Sequence, residues 1–179
     1  AVIGHPLIRN CMNQGYEVIE HILGNPVEPA DEPVLRERLR GVNGSTEQIL
    51  NWMQNRIPLL ADLNRIQLRE LVVGSRLRLC EPGSQVFAAG DATDDFYCVL
   101  DGKIEFEFPA QDGAGPRPSA TLSSGDFFGE IALLSGLTRT ATAVVRANTR
   151  LLRSPRRAMN KLLRSSESVR RAIYAAFHE

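Results

Sequence analysis

The stretch "GDFFGEIALLSGLTRTATAVV", Gly125 to Val145, is neither a clean helix nor a clean strand. It opens with Gly125-Asp126, two phenylalanines and Gly129-Glu130, then continues as a short apolar run from Ile131 to Leu134. A second glycine, Gly136, and a lone Arg139 precede a strand-like run of Thr, Ala and Val. A glycine that opens a short helix, followed within a few residues by one strong cation, is an arrangement that holds an anion.

The chemistry of such a site can be worked out from the residues. A helix start presents N–H groups without intrahelical partners and a partial positive charge. Gly129 has no Cβ, so a ligand can approach its backbone closely. The N–H groups of Ile131 and Ala132 then face the anion, and Arg139 adds a charge-assisted, bidentate-capable donor. If the anion is a cyclic phosphate carried on a ribose, the Glu130 carboxylate is an acceptor for the free ribose hydroxyl. Plainer readings stay open: Arg139 as a salt-bridged surface residue, Glu130 as a carboxylate placed for the helix dipole, and Thr140 and Thr142 as ordinary strand residues.

Outward from this stretch the periodicity is that of short strands. "SRLRLCEP" alternates and ends at the Pro82-Gly83 turn; "SQVFAAGD" closes at Gly90-Asp91. "DDFYCVLDG" reads as a strand with a hairpin turn at Asp101-Gly102. "KIEFEF" alternates apolar and acidic residues, which leaves one face wet. "QDGAGPRPSA" is a loop by composition, "ATLSSGD" leads into the opening stretch, and "TATAVVRA" and "TRLLRS" are two further strands. Short strands with regular glycine turns indicate a barrel or sandwich.

Helices flank the strands. In "STEQILNWMQNRIPLL" Ser45 and Gln48 have capping-box spacing, and Ile49, Trp52, Met53 and Ile57 fall on one face. In "LNRIQLRELVVG" Asn64 is the expected N-cap, with Ile66, Leu68, Leu71 and Val72 apolar and Gly74 at the end. Downstream, "SPRRAMNKLLRSS" has Ser154 as expected cap and Pro155 at the first helical position. "ESVRRAIYAAFHE" places Val169, Ile173, Tyr174 and Phe177 on one side, and its lack of a C-cap signal suggests a helix that continues.

Here the stretch from Phe128 to Val145, "FGEIALLSGLTRTATAVV", resembles the phosphate-binding cassette of the cyclic-nucleotide-binding domain family. The family pattern is Phe-Gly-Glu, an aliphatic residue, Ala or Gly, Leu, a short gap, then Arg, a small residue, Ala and a hydroxyl residue. Phe128, Gly129, Glu130, Ile131, Ala132, Leu133, Arg139, Thr140, Ala141 and Thr142 fill every position. "PGSQVFAAGDATDDFYCVLDGKIEF" is similar to the family's barrel entrance, with Gly83, Gly90 and Gly102, and the resemblance runs from Ile57 to Glu179. It implies a mainly β fold, an eight-stranded jelly-roll barrel between N-terminal and C-terminal helices. It also implies a ligand, cAMP or cGMP, held by Phe128, Gly129, Glu130, Ile131, Ala132, Arg139, Thr140 and Ala141. Glu130 takes the ribose hydroxyl and Arg139 the phosphate, while the Thr140 hydroxyl permits cGMP as well as cAMP. Tyr174 and Phe177 cap the base by stacking or, alternatively, belong to the core or to a dimer interface.

Residues 1–44 differ from the rest. "MNQGYEVIEHILG" carries Val18, Ile19, Ile22 and Leu23 at helical spacing, "NPVEPADEP" is an acidic, Pro-rich connector, and "PVLRERLRG" is a short charged helix closed by Gly41. "GHPLIRNCMNQGYEVIEHILG" is similar to the closing helix of thioredoxin-reductase-type flavoproteins, without a glycine fingerprint or redox cysteine pair. The division that follows is a 1–44 helical segment and linker, a remnant of a preceding reductase domain if that likeness holds, and a 45–179 cyclic-nucleotide-binding domain. No flavin binding is expected of these residues. The first residue is not Met, so a fragment of a longer chain is the expectation.

Composition narrows the function classes. The chain has 179 residues, 43% hydrophobic and 23% charged, with net charge zero, the profile of a soluble domain with an appendage. No apolar run approaches a membrane span, and no signal peptide is visible. From Arg146 onward nine Lys or Arg face two Glu, read as a solvated helical face rather than a nucleic-acid contact. Cys11, Cys80 and Cys98 are widely spaced and, with three scattered His, make no metal-ligand pattern. A reducing, cytoplasmic setting without a structural disulfide is expected. No nucleophile–base or paired-carboxylate constellation supports an enzyme. The expected function is a regulatory module in which cyclic nucleotide moves helices and so controls a fused or partner effector domain, such as a flavoprotein reductase. A homodimer through the last helix is a further expectation, and no cofactor is expected. The alternatives are the sensing domain of a catabolite-activator-type transcription factor without its DNA-binding part, and a nucleotide-free scaffold barrel.

Overall fold

The computed structural model describes residues 29–109 and 117–178. The expectations for the helical stretch Met12 to Gly24, the reductase-like segment, Cys11 and most of the 111–120 loop lie outside the described residues. Helices α1 (Glu32–Arg38), α2 (Thr46–Arg56) and α3 (Arg65–Gly74), with a 3-10 turn at Pro58–Leu60, precede the strands. Strands β1 (Arg76–Cys80), β2 (Gln85–Phe87), β3 (Phe96–Asp101), β4 (Lys103–Phe108), β5 (Arg117–Ser123) and β6 (Phe127–Phe128) follow. Helix α4 (Glu130–Ser135) leads to β7 (Thr142–Val145) and β8 (Thr149–Ser154), then α5 (Arg156–Ser165) and α6 (Glu167–Phe177).

The eight strands form two four-stranded sheets with orders β1-β8-β3-β6 and β2-β7-β4-β5, every pair antiparallel. Their facing surfaces share one core, including Tyr97, Val99 and Leu151 from the first sheet and Val86, Ile104 and Val145 from the second. The opposite face of the first sheet packs on the helices: Phe96, Cys98, Leu100 and Leu152 join Leu50, Met53, Leu68, Met159 and Ile173. Strand β3 is therefore buried on both faces, and this accounts for its unbroken apolar run "FYCVL" where a half-exposed strand would alternate.

Local sequence chemistry accounts for the helix starts. Ser45 and Gln48 form a reciprocal capping box, and so do Asn64 and Gln67. Each satisfies N–H groups that a helix start leaves open. Leu35 of helix α1 and Leu39, which caps its C-terminus, are buried in the helical core. Beside it, Arg69 of α3 donates to Asp31, Glu32 and Glu47, and the Thr46 hydroxyl donates to Glu32.

Three local expectations change. Asp101-Gly102 is no hairpin turn, because β3 and β4 belong to different sheets. The chain crosses between sheets there so closely that a Cβ on Gly102, at φ +101°, would lie 2.3 Å from Thr149 Oγ1. The Lys103 N–H donates to that same hydroxyl at 3.0 Å. Ser154 is the last residue of β8, not a helix cap; its Oγ lies 2.7 Å from that of Ser75, and Pro155 takes the N-cap position of α5. On α6 only Val169 and Ile173 of the four expected apolar residues are fully buried, while Tyr174 is 48% exposed.

Candidate functional site

Phe128, Gly129, Glu130, Ile131, Ala132, Arg139, Thr140 and Ala141 all line one cleft of about 230 Å³ at the end of the second sheet. Because they span only fourteen positions, local folding alone can bring them together. Phe128 is the inner residue of β6, which pairs with Tyr97 and Cys98 of β3. Gly129 then turns the chain at φ +94° into α4. A Cβ there would lie 2.7 Å from the Asp95 carbonyl oxygen and 2.9 Å from Arg139 Nη1. Glycine thus admits Arg139 and the Asp95 backbone as well as leaving room for a ligand. The first helical bond of α4 runs from the Leu133 N–H to the Gly129 carbonyl at 3.1 Å, so the amides of Ile131 and Ala132 precede it. Burial pushes the Glu130 carboxyl above its usual value, opposed by backbone N–H groups at Gly129 and Glu130 and by the charge of Arg139.

Arg139 is only 4% exposed, which rules out the surface salt-bridge reading. Its backbone is pinned to the Gly90-Asp91 turn, the N–H donating to Asp91 O at 2.9 Å and the carbonyl accepting from Gly90 at 2.8 Å. Its guanidinium donates from Nε to Thr93 Oγ1 at 3.1 Å, from Nη2 to Asp95 O at 2.6 Å and from Nη1 to Gly129 O at 3.4 Å. All three acceptors are uncharged. Among the described residues no carboxylate forms an ion pair with it, in contrast to Arg69, which has three. Burial accordingly pushes its pKa down. A guanidinium has five N–H donors, so among the described residues those three bonds leave one on each terminal nitrogen for an anion.

The same junction reaches the C-terminal helices. The Asp95 carboxylate accepts from Arg153 at the end of β8, and the Asp94 carboxylate from Arg156, the first residue of α5. Arg156 also donates from Nη2 to the Ala132 carbonyl in α4 at 2.7 Å. Thr93, Asp94 and Asp95 therefore touch both the cleft cation and the start of the last helices.

The cleft is otherwise aromatic and aliphatic, with Phe87, Phe106, Phe108, Phe127 and Leu122 in its wall. Sequence reasoning missed these residues and the 93–95 junction. One signal was available: "KIEFEF" buries Ile104 fully, half-buries Phe106 and leaves Phe108 43% exposed at its end. The acidic face of that strand holds Arg146 through Glu105 and Glu107. Thr140 is exposed at the cleft, whereas Tyr174 and Phe177 are not among the residues lining it. Among the described residues no cluster of His, Cys, Asp and Glu could hold a metal, and no helix is long and apolar enough to cross a membrane.

The family model for the cyclic nucleotide-binding domain matches residues 77–166, and the chain belongs to that family. It is 39% identical over 95 residues to the cAMP-dependent protein kinase regulatory subunit of Yarrowia lipolytica, covering 53% of this chain and 24% of that protein. It is similar to the structure of the Thermus thermophilus catabolite activator protein, with TM-score 0.60 and 29% identity over 68% of this chain and 56% of that one. It also shares its fold with the regulatory subunit of a cAMP-independent protein kinase A from Trypanosoma cruzi bound to guanosine, with TM-score 0.63 and 19% identity over 79% of this chain and 46% of that one. The chain spans about a quarter of the length of the curated relative.

Proposed function

We propose that the cleft binds a cyclic nucleoside monophosphate, cAMP or cGMP, and that the chain is a regulatory module rather than an enzyme. The observation that carries this is Arg139, a buried cation that among the described residues has only neutral hydrogen-bond partners and leaves two of its five donors unused. A buried charge without a counter-ion is costly, and a bound phosphate supplies the counter-ion. Ile131 and Ala132 add amide donors, Glu130 accepts from the ribose hydroxyl, and Phe128, Gly129, Thr140 and Ala141 complete the wall. The Yarrowia lipolytica relative, a regulatory subunit of a cAMP-dependent protein kinase, supports the same reading.

Regulation follows from the junction at 93–95. Ligand that draws on Arg139 acts on a cation bonded to the Asp95 carbonyl, and the Asp95 carboxylate holds Arg153; ligand on the Ala132 N–H acts on a residue whose carbonyl holds Arg156. Only a difference in ligand affinity between two arrangements of α5 and α6 converts binding into movement. The moving helices would control a fused or partner effector in the cytoplasm. Residues 45–179 form the sensing domain in this reading, and Asp31 and Glu32 of the preceding segment dock on it through Arg69.

The test is calorimetric titration with cAMP, cGMP and guanosine, with Arg139→Ala alongside. Two charge-assisted hydrogen bonds of about 1.5–3 kcal/mol each predict a loss of roughly hundredfold or more in the variant. Guanosine, which lacks the phosphate, should bind far more weakly than either cyclic nucleotide. Equal binding of guanosine and a cyclic nucleotide, with no effect of the variant, would replace this reading with nucleoside recognition.

A further inference from the structure

Arg139 has a fourth partner besides its three hydrogen-bond acceptors. Its Cζ sits 4.1 Å from the centroid of the Phe87 ring, with the Tyr97 ring at 5.8 Å. Both lie within the roughly 6 Å over which a ring face attracts a cation, and the attraction strengthens when the pair is withdrawn from water. Hydrogen bonds from a guanidinium lie in its plane, so Thr93, Asp95 and Gly129 restrain it within that plane. A ring over its face restrains it in the remaining direction.

The Phe87 ring is itself well anchored. It contacts Tyr97 and Phe128 at 5.9 Å and Phe106 at 6.4 Å, all tilted. It ends β2 just where the pairing with β7 shifts register, between Gln85 and Phe87. Such an irregularity re-aims a side chain.

The guanidinium also has competing destinations. The charges of Asp95, Asp94 and Glu130 all act on it without forming an ion pair. If it left the ring it would pair with one of them and commit the N–H groups that a ligand needs. We propose that Phe87 is a positioning residue for Arg139, its ring face keeping the guanidinium in the cleft and away from the neighbouring carboxylates. This rests on the reading of the cleft as a cyclic-nucleotide site.

The effect on affinity arises in the ligand-free protein. A ligand binds the seated fraction only, so affinity falls in proportion as that fraction falls. The largest loss is the full strength of the contact, between about two- and thirtyfold.

The experiment replaces Phe87 in the full chain with a series of ring-fluorinated phenylalanines, which keep the shape and drain the ring face of negative charge. Phe87→Leu and Phe87→Tyr accompany the series. Affinity for cAMP and cGMP is measured by calorimetry, and the Arg139 Nε–H resonance is followed by NMR. The expected result is stepwise weakening with fluorine count, near-normal binding for Phe87→Tyr, and weaker binding for Phe87→Leu. The Arg139 resonance should be ring-current shifted in the wild type and return to its ordinary position in Phe87→Leu. A merely structural role would leave the fluorinated series flat. Affinity indifferent to fluorination, or an unshifted wild-type resonance, overturns the proposal. If the wild type binds neither nucleotide, the reading of the cleft fails, and the resonance alone decides whether the ring seats the guanidinium.

Discussion

The two arginines buried among the described residues, Arg69 and Arg139, should respond unequally to loss of charge. Arg69 has 7% side-chain exposure and meets Asp31, Glu32 and Glu47 at 2.8, 2.8 and 2.9 Å. Replacing it by Met, of similar length, strands Asp31 (side chain 23% exposed) and leaves the 10% exposed Glu32 with only the Thr46 hydroxyl and the more distant Arg36, at 3.5 Å. Breaking a buried ion pair from one side costs about 3–5 kcal/mol. Glu47, 52% exposed, adds little because water screens it. Arg69→Met should therefore lose about 3–5 kcal/mol in urea denaturation at neutral pH. Arg139→Met strands only a hydroxyl and two carbonyls and relieves the burial of an unpaired cation, so it should lose less than about 2 kcal/mol. Adding Asp31→Asn and Glu32→Gln to Arg69→Met should recover much of the loss. Equal losses for the two single variants would refute the view that the fold neutralises one arginine and leaves the other for a ligand.

Three further predictions concern the cleft and its connections. Gly129→Ala places a Cβ 2.7 Å from the Asp95 carbonyl at a positive φ; it should cost about 1–3 kcal/mol in urea denaturation and weaken nucleotide binding by displacing Arg139. The Glu130 carboxyl is raised by burial, so the folded state holds its proton more tightly than the unfolded state does. Its contribution is then most favourable below the ordinary carboxylate range and is lost as pH rises through the raised value. Glu130→Gln should raise stability at neutral pH, flatten that part of the pH–stability curve and weaken nucleotide binding; unchanged stability would count against burial as the cause. Arg156→Ala should change affinity less than tenfold while uncoupling α5, so that amide exchange in the first turn of α5 no longer responds to nucleotide; an unaltered response would remove Arg156 from the coupling path.

What was legible in the sequence is what depends on near neighbours. The capping box at Ser45–Gln48 is a four-residue signal and the Asn64 cap a single residue, and the structure carries both. The eight cleft residues expected from the sequence, with Thr138, which also lines the cleft, lie between Phe128 and Ala141 along one turn, one short helix and one loop, so their pattern survives in the chain order. The partners of Arg139 do not. Thr93 and Asp95 stand 46 and 44 residues away, and nothing local marks a threonine hydroxyl or a backbone carbonyl as an arginine acceptor. Strand β6 has two residues, too few for any alternation to register. Asp101-Gly102 has good hairpin chemistry, but turn chemistry does not specify which sheet the next strand joins. At Ser154 the pairing with Phe96 across the sheet and the contact with Ser75 extend β8 over a residue that locally suits a helix cap.

The most direct test is a pair of NMR spectra of the full chain, covering backbone amides and arginine side chains, with and without saturating cAMP or cGMP. The account predicts that the largest shifts fall on the amides of Ile131 and Ala132 and on the Arg139 Nε–H, with smaller ones at Asp94, Asp95 and the start of α5. Spectra that do not change with either nucleotide, or that change only away from Arg139, would contradict it.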